Sequence, residues 1–216
     1  MEINLDESAL KFAADWLAMR DPMLAQVIEK YGYPPLWARE PGFPTLVHII
    51  LEQQVSLASA KAAFFRLETH LGKITPANLL NSTDQELFQI GFSRQKKVYV
   101  RCLAEAVMKG EFVFETLAQL PEDALRVYMK RIKGIGDWTV DVYALMCLLR
   151  PDILPKGDIA LYESYRVLRS FSARPKHDLF VTETLHWKPW RSVAARMLWH
   201  FYLCEQSSKF QVASKK

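Results

Sequence analysis

A short glycine hairpin is the part of this chain whose residue types and spacing most clearly suggest chemistry. Residues 132–139 read I-K-G-I-G-D-W-T, with Gly134 and Gly136 between two segments of helical pattern. Glycine permits a tight turn and leaves no Cβ to hold a partner away from the backbone. The hairpin leads directly into a helix start, where unpaired N–H groups and the helix dipole favour an anion. This pattern predicts a binding site for a phosphate group.

An acidic residue further along the chain could act on whatever the hairpin binds. Asp158 ends the segment L-P-K-G-D, just before a helical pattern that begins at Ile159. A carboxylate near a bound polyanion can stabilise positive charge that develops during a reaction, or activate a water molecule. Aspartate is also a favoured N-cap residue, so Asp158 could instead only cap the helix. One side chain can have both roles.

The hairpin alone leaves phosphate binding and a simple chain reversal equally open, because many αα-hairpins contain glycine. The net charge of +4, from 28 Lys and Arg against 24 Asp and Glu, decides little, since solubility alone would explain it. Three local groups of basic residues modestly favour a polyanion partner. They are Arg94, Lys96, Lys97 and Arg101; Lys130, Arg131 and Lys133; and Lys188, Arg191 and Arg196.

The composition limits the classes of protein to consider. With 216 residues, 50% of them hydrophobic, the chain can bury one sizeable core or two small ones. The sequence contains no apolar stretch of about 18 residues, so no membrane span is predicted. The acidic N-terminus does not resemble a signal peptide. The cysteines Cys102, Cys147 and Cys204 are too far apart for a close-spaced metal or iron–sulfur cluster. We therefore expect reduced thiols in a cytosolic protein.

Helical signals cover nearly the whole chain, and strand signals are almost absent. Ser56 and Gly72 are suited to begin and end a helix over 57–71. Thr83 and Glu86 form the pattern of a capping box. The sequence therefore predicts an all-α protein. Further helical segments are expected within 8–28, at 44–55, from Thr75-Pro76, at 94–109, from Leu120-Pro121 to 132, at 159–170 and at 189–206.

These motifs together resemble the helix-hairpin-helix (HhH-GPD) DNA glycosylase superfamily, and within it the 3-methyladenine DNA glycosylase II type. The resemblance rests on the hairpin, on L-P-K-G-D, on I-L-E-Q-Q-V-S from Ile50, and on W-K-P-W-R-S from Trp187 with M-L-W ending at Trp199. It implies two helical subdomains with a DNA-binding cleft between them and no N-terminal β domain. The expected parts are a helical segment 1–42 that packs on the core, a subdomain 43–115 with the wedge residue, a helix-hairpin-helix and catalytic subdomain 116–206, and a flexible tail 207–216.

The resemblance also implies a reaction. Members of this type flip a damaged base out of double-stranded DNA and hydrolyse its N-glycosidic bond, as the first step of base excision repair. Asp158 matches the catalytic aspartate, which stabilises oxocarbenium-like charge on the sugar. Members that also cut the backbone carry a nucleophilic lysine two residues after the second hairpin glycine, where this chain has Trp138. A monofunctional enzyme that excises alkylated purines of the 3-methyladenine and 7-methylguanine type is therefore expected.

Aromatic residues are expected to form the pocket for the flipped base. Trp138 and Trp199 match pocket positions of the family, and Tyr143 and Trp190 are weaker candidates. An aromatic wall suits alkylated purines, because methylation leaves the base electron-poor or cationic. Tryptophan at helical spacing is, however, more often part of the core.

Other residues are expected to hold the DNA. Gln54 matches the wedge that fills the space left by the flipped base, although Gln53 and Gln54 alone look like ordinary polar residues at a helix end. The expected phosphate-binding residues are Lys133, Gly134, Ile135, Gly136, Asp137 and Thr139. No cofactor is expected to be required, and a structural Na+ or K+ at the backbone carbonyls of Lys133 and Ile135 is compatible with the family.

The expected partner is double-stranded DNA that contains damaged bases, bound by a monomer that has no contact with a membrane. Such a protein would work in the cytoplasm at the bacterial nucleoid, or in the nucleus of a eukaryote. Two alternatives remain open at this point. One is a non-catalytic helix-hairpin-helix DNA-binding module, in which Asp158 only caps a helix. The other is a glycosylase of the same fold that acts on oxidised or mismatched bases.

Overall fold

The computed structural model describes residues 4–213, with side chains up to residue 207. The described residues form α-helices and short 3-10 segments but no β-strand, which confirms the predicted all-α class. No helix among them is long and apolar enough to cross a membrane. The helices are α1 (Glu7–Ala18), α2 (Pro22–Tyr31), α3 (Phe43–Glu52), α4 (Leu57–Leu71), α5 (Pro76–Asn81), α6 (Asp84–Ile90), α7 (Arg94–Met108), α8 (Glu122–Lys130), α9 (Asp137–Met146), α10 (Ile159–Leu168), α11 (His177–Glu183) and α12 (Arg191–Ala213).

Local capping residues fix several helix ends as the sequence predicts. The Ser56 hydroxyl accepts the N–H of Ser59 at the start of α4. At the start of α6, Thr83 and Glu86 form both hydrogen bonds of the capping box. The helix α3, however, ends at Glu52 rather than near residue 55, because Gln53 leaves the helical conformation with ψ 123°.

The last helix is longer than expected. Instead of ending near residue 206, α12 continues to Ala213, so it includes most of the segment 207–216 that we predicted to be a flexible tail. Residues 203–216 contain neither glycine nor proline, the two residue types that end helices most effectively. Residues 214–216 of that segment lie outside the part of the chain that the structure describes.

The chain divides into two compact units. The first comprises Met1–Ala38 together with Ala144–Lys216, and the second comprises Arg39–Tyr143. Within the first unit, α1 and α2 contact each other and α12, and α10 also packs on α12. Within the second unit, α3 contacts α4 and α7, and α7 contacts α5 and α6. The subdomain boundary predicted at residue 115 thus lies inside the second unit, and the N-terminal helices associate with the C-terminal part of the chain.

A buried carboxylate joins three segments of the first unit. Asp21 is 1% exposed, and its Oδ2 accepts hydrogen bonds from Arg169 and from the Trp187 indole, both at 2.9 Å. His186 Nε2 lies 3.1 Å from the same oxygen. The other oxygen, Oδ1, accepts the N–H of Met23 and so caps α2. One side chain therefore fixes the start of α2 against the end of α10 and the segment that follows α11.

We expect Asp21→Asn to lower the free energy of unfolding by about 2 kcal/mol, because an amide NH2 would then face donors that need an acceptor. Denaturant unfolding measures this loss. The matched control is Asp6→Asn at the exposed cap of α1, where Asp6 accepts the N–H of Ala9 and an asparagine can do the same. Equal losses for the two variants would show that the buried hydrogen bonds of Asp21 contribute no more to the free energy of unfolding than the exposed cap at Asp6.

Candidate functional site

The two glycines of the hairpin have different environments in the second unit. Gly134 has a φ of +91°, and a Cβ on it would lie 2.1 Å from Cγ of Tyr99. Only glycine can therefore occupy this position. A Cβ on Gly136 would meet no atom within 4 Å, and Gly136 is exposed. The inner glycine allows close packing, and the outer glycine leaves open backbone directly before α9.

Two ion pairs join the helices on either side of the hairpin. Arg126 of α8 lies 2.5 Å from Asp141 of α9, whose side chain is 1% exposed. Lys130 at the end of α8 pairs with Asp137 at the start of α9 at 2.7 Å. Because the Asp141 carboxylate is buried, salt screens its attraction to Arg126 only weakly. The hairpin is thus held between helices whose relative position is fixed.

The residues expected to bind phosphate differ in how accessible they are. Lys133 and Gly136 are exposed, whereas the side chain of Ile135 is buried, so that Ile135 can contribute only through its backbone. Thr139 is 2% exposed, and its hydroxyl accepts a hydrogen bond from Gln53 at 3.0 Å. We therefore remove the Thr139 side chain from the phosphate-binding group, because it supports the hairpin from inside.

The turn between α3 and α4 presents the residue predicted to be the wedge. Gln54 is exposed and has a φ of +57°, a left-handed conformation that is uncommon for residues other than glycine. The neighbouring Gln53 points inward, where its Nε2 donates to the Gly134 carbonyl at 2.9 Å and to Thr139. No local sequence pattern indicates this contact, which joins positions 81 residues apart.

The helix α7 supports both the turn and the hairpin. Lys96 is 9% exposed, and its Nζ donates to the carbonyl of Leu51 at 2.6 Å, near the end of α3. Burial lowers the pKa of Lys96. Tyr99, one turn further along α7, places its ring under Gly134. Residues three apart on one helix face the same side, so one face of α7 underlies both features.

Two of the three basic groups turn out to have mainly structural roles. In the first group, Lys97 and Arg101 both pair with Asp84 at 3.2 Å, and Lys96 is buried. These side chains hold α6 against α7 within the second unit and do not form a free basic surface. The modest support that this group gave to a polyanion partner is therefore withdrawn.

Two members of the C-terminal basic group, Arg191 and Arg196, likewise make internal contacts, whereas Lys188 is exposed. Arg191 pairs with Asp152 at 2.7 Å. Arg196 is fully buried and donates to the carbonyls of Leu36 and Leu145 at 2.7 Å and 2.8 Å. Burial lowers the pKa of Arg196 to about 10. The charge of these residues predicted that their side chains lie at the surface, but long-range hydrogen bonds to carbonyl groups account for their positions.

The carboxylate of Asp158 is held at the start of α10 in the first unit. Its Oδ1 accepts the N–H of Leu161 at 3.0 Å, so Asp158 is the N-cap of the helix. The same oxygen accepts the indole N–H of Trp199 at 3.2 Å. Asp158 is 8% exposed, and Trp199 is half-buried. Two donors from separate helices fix this carboxylate, and an aromatic ring lies next to it.

The loop before Asp158 is also held in place. The N–H of Gly157 donates to the hydroxyl of Tyr162 on α10 at 2.9 Å. That hydroxyl lies 2.9 Å from Nδ1 of His177 at the start of α11. Ile159, the residue after Asp158, has an exposed side chain. The carboxylate therefore sits on a rigid turn, with an apolar side chain beside it.

One predicted pocket residue belongs to the core. Tyr143 is fully buried, its hydroxyl accepts the N–H of Gly42 at 3.1 Å, and its ring contacts Phe114. A side chain with no exposed surface cannot stack on a base, so we correct this prediction. Trp138 is half-buried. Trp190 is also half-buried and packs edge-to-face on Phe12.

The cysteines and potential metal ligands provide no further site within the described residues. Cys102, Cys147 and Cys204 are not joined in disulfide bonds. No group of three or more His, Cys, Asp or Glu residues in this part of the chain could hold a metal ion. A monovalent cation would be held by backbone carbonyls and not by these side chains, so the cation predicted at Lys133 and Ile135 stays a prediction.

A glycine hairpin between two helices, with open backbone at a helix start, defines a protein of the helix-hairpin-helix class. The sequence matches the HhH-GPD superfamily base excision DNA repair protein family over residues 47–192. The chain belongs to this family.

Relatives and solved structures agree with this assignment. The chain is 26% identical over 201 residues to the DNA-3-methyladenine glycosylase of Bacillus subtilis, an alignment that covers 85% of this chain and 64% of that protein. It is 24% identical over 200 residues to the alkylbase DNA glycosidase-like protein mag2 of Schizosaccharomyces pombe, covering 89% and 94%. The structure of Schizosaccharomyces pombe 3-methyladenine DNA glycosylase (Mag1) in complex with abasic DNA matches with a TM-score of 0.81 and 26% identity, covering 87% and 94%.

Proposed function

We propose that this protein is a monofunctional DNA glycosylase that excises alkylated purines from double-stranded DNA and leaves an abasic site. The observation that carries the proposal is the carboxylate of Asp158, fixed by the Leu161 N–H and the Trp199 indole in a member of a base excision repair family. Relatives named for 3-methyladenine and alkylated bases support this substrate class.

The chemistry assigned to Asp158 is electrostatic. As the N-glycosidic bond breaks, positive charge develops on the deoxyribose, and a fixed carboxylate stabilises that charge without having to reorganise. The same carboxylate can orient the water molecule that attacks the sugar. An alkylated purine is already a good leaving group, so little acid catalysis is needed. The indole rings of Trp199 and Trp138 are proposed to stack on the electron-poor base.

The second unit is proposed to hold the DNA. Open backbone at Gly136 and the first N–H groups of α9 would bind one phosphate, together with the exposed Lys133. The exposed, left-handed Gln54 would enter the duplex as the wedge. A Na+ or K+ could be held at the carbonyls of Lys133 and Ile135, which would leave the Gly134 carbonyl to its hydrogen bond with Gln53. A monomer acting wherever the DNA lies, in the cytoplasm or the nucleus, fits this role.

Chromatography of free bases released from methylated duplex DNA tests the function. We expect release of 3-methyladenine and 7-methylguanine, with little release from DNA that carries 8-oxoguanine or a mismatch. Efficient release of the oxidised or mismatched base alone would favour the alternative specificity. Tight duplex binding without release of any base would favour a non-catalytic DNA-binding module.

We expect borohydride to trap no covalent adduct between this protein and DNA with an abasic site, because trapping requires a Schiff base to an amine. Trp138 occupies the position at which a nucleophilic lysine would stand. Electrophoresis under denaturing conditions detects an adduct, and a bifunctional glycosylase provides the positive control. An adduct that disappears in Lys133→Ala would show that this nearby lysine supplies the amine and would contradict the monofunctional assignment.

A further inference from the structure

The contact between Gln53 and the hairpin connects the two features proposed to hold DNA. The side-chain nitrogen of Gln53 donates one hydrogen to the Gly134 carbonyl at 2.9 Å and the other to the Thr139 hydroxyl at 3.0 Å. A carbonyl only accepts hydrogen bonds, so the nitrogen of the amide, and not its oxygen, must face Gly134. Both amide hydrogens of Gln53 are therefore used inside the protein.

The next residue along the chain is the exposed Gln54. Its left-handed φ of +57° is a conformation that persists where the surrounding structure enforces it. On one side of it, Gln53 is tied to the hairpin. On the side of α3, Lys96 donates to the Leu51 carbonyl, and Tyr99 from the same helix packs under Gly134. The wedge position is thus fixed relative to the phosphate-binding backbone through contacts within the second unit.

We propose that Gln53 is a positioning residue that fixes the wedge Gln54 relative to the glycine hairpin. The hairpin can then bind a phosphate while the Gln54 side chain enters the base stack, without a change in their relative position. This inference rests on the proposed function, since it gives Gln54 and the hairpin their roles. Consecutive Cα atoms are about 3.8 Å apart, so the anchor of Gln53 restricts Gln54 directly. A displacement of about 1 Å in the geometry of a reacting group can lower a rate by about a hundredfold.

The test is a double-mutant cycle on DNA binding, using a duplex that contains a tetrahydrofuran abasic analogue with 2-aminopurine opposite it. Gln53→Glu keeps the length of the side chain but cannot donate to the Gly134 carbonyl. We expect this variant to bind the duplex about tenfold more weakly and to lose most of the 2-aminopurine fluorescence that reports unstacking. Gln85→Glu, at an exposed position of α6, is the control for the added negative charge and should bind like the wild type.

The second arm combines Gln53→Glu with Gln54→Ala. If Gln53 acts through the wedge, the Gln54→Ala change should weaken binding in the wild type but have little further effect once Gln53 is changed. The same fold-loss from Gln54→Ala in both backgrounds would overturn the inference, because a merely structural role for Gln53 leaves the wedge contribution intact. Wild-type-like binding and fluorescence for Gln53→Glu would also overturn it.

Thermal unfolding accompanies each variant. Should Gln53→Glu fail to fold, Thr139→Val removes one acceptor of the same amide, with Thr139→Ser as the matched variant that keeps the hydroxyl. Thr139→Val is expected to reproduce the coupling to Gln54, and Thr139→Ser to behave as the wild type. The cycle needs no base release, so a wild type that binds and unstacks the duplex but releases no base disproves the proposed activity and leaves the inference standing. A wild type that causes no unstacking disproves the inference itself.

Discussion

Asp158→Asn is expected to slow the release of a methylated base by about 100- to 1,000-fold, because it removes the fixed negative charge opposite the developing cation. The change is close to isosteric. An asparagine oxygen can still accept the N–H of Leu161 and the indole N–H of Trp199, so the start of α10 should be preserved. Single-turnover measurement of free base at saturating protein isolates the chemical step from binding and product release.

The control for Asp158→Asn is binding of an uncleavable abasic analogue together with thermal unfolding. Both should remain close to the wild type if Asp158 acts on the reaction and not on the fold. Release of base at the wild-type rate would leave Asp158 with only its role as an N-cap. A parallel loss of binding, stability and release would make the cap its main contribution and would also contradict the assignment.

Gly134→Ala is expected to lower the free energy of unfolding by at least about 3 kcal/mol and to abolish duplex binding. Two costs add: a residue with a Cβ at a φ of +91°, and a methyl group that would lie 2.1 Å from Cγ of Tyr99. Denaturant unfolding measures the stability, and fluorescence anisotropy with a labelled duplex measures the binding.

The matched variant is Gly136→Ala. A Cβ at this position meets no atom within 4 Å, so the protein should keep its stability. If a phosphate approaches this backbone, the added methyl group should still weaken duplex binding, by about tenfold. Wild-type binding by a stable Gly136→Ala protein would refute the proposed phosphate contact, whereas equal destabilisation by the two changes would refute our account of Gly134.

The sequence was informative where a structural feature depends on neighbouring residues. Capping boxes, N-caps and glycine ends are local, so the start of α4 at Ser56 and the start of α6 at Thr83 could be predicted directly. The hairpin was likewise visible from its glycines. The N-cap role of Asp158 is also local, because its partner Leu161 is three residues away.

Features that depend on distant residues could not be predicted in this way. The hydrogen bond from Gln53 to Gly134 joins residues far apart in the chain, and Lys96 finds its carbonyl partner on another helix. Arg196 looks like a surface charge in the sequence, yet it donates to carbonyls of three separate residues from inside the first unit. Tyr143 lies on an apolar helix, and only tertiary packing distinguishes a core ring from one that lines a pocket.

The discontinuity of the first unit has a consequence for synthesis of the protein. A backbone hydrogen bond from Leu5 to Leu149 ties the beginning of the chain to residues made much later. As the ribosome proceeds from the N-terminus, all residues of the second unit emerge before α10 and α12 exist. We therefore expect the nascent chain to form its glycine hairpin before the Asp158 carboxylate is in place, and α1 and α2 to pack only after α12 has been synthesised.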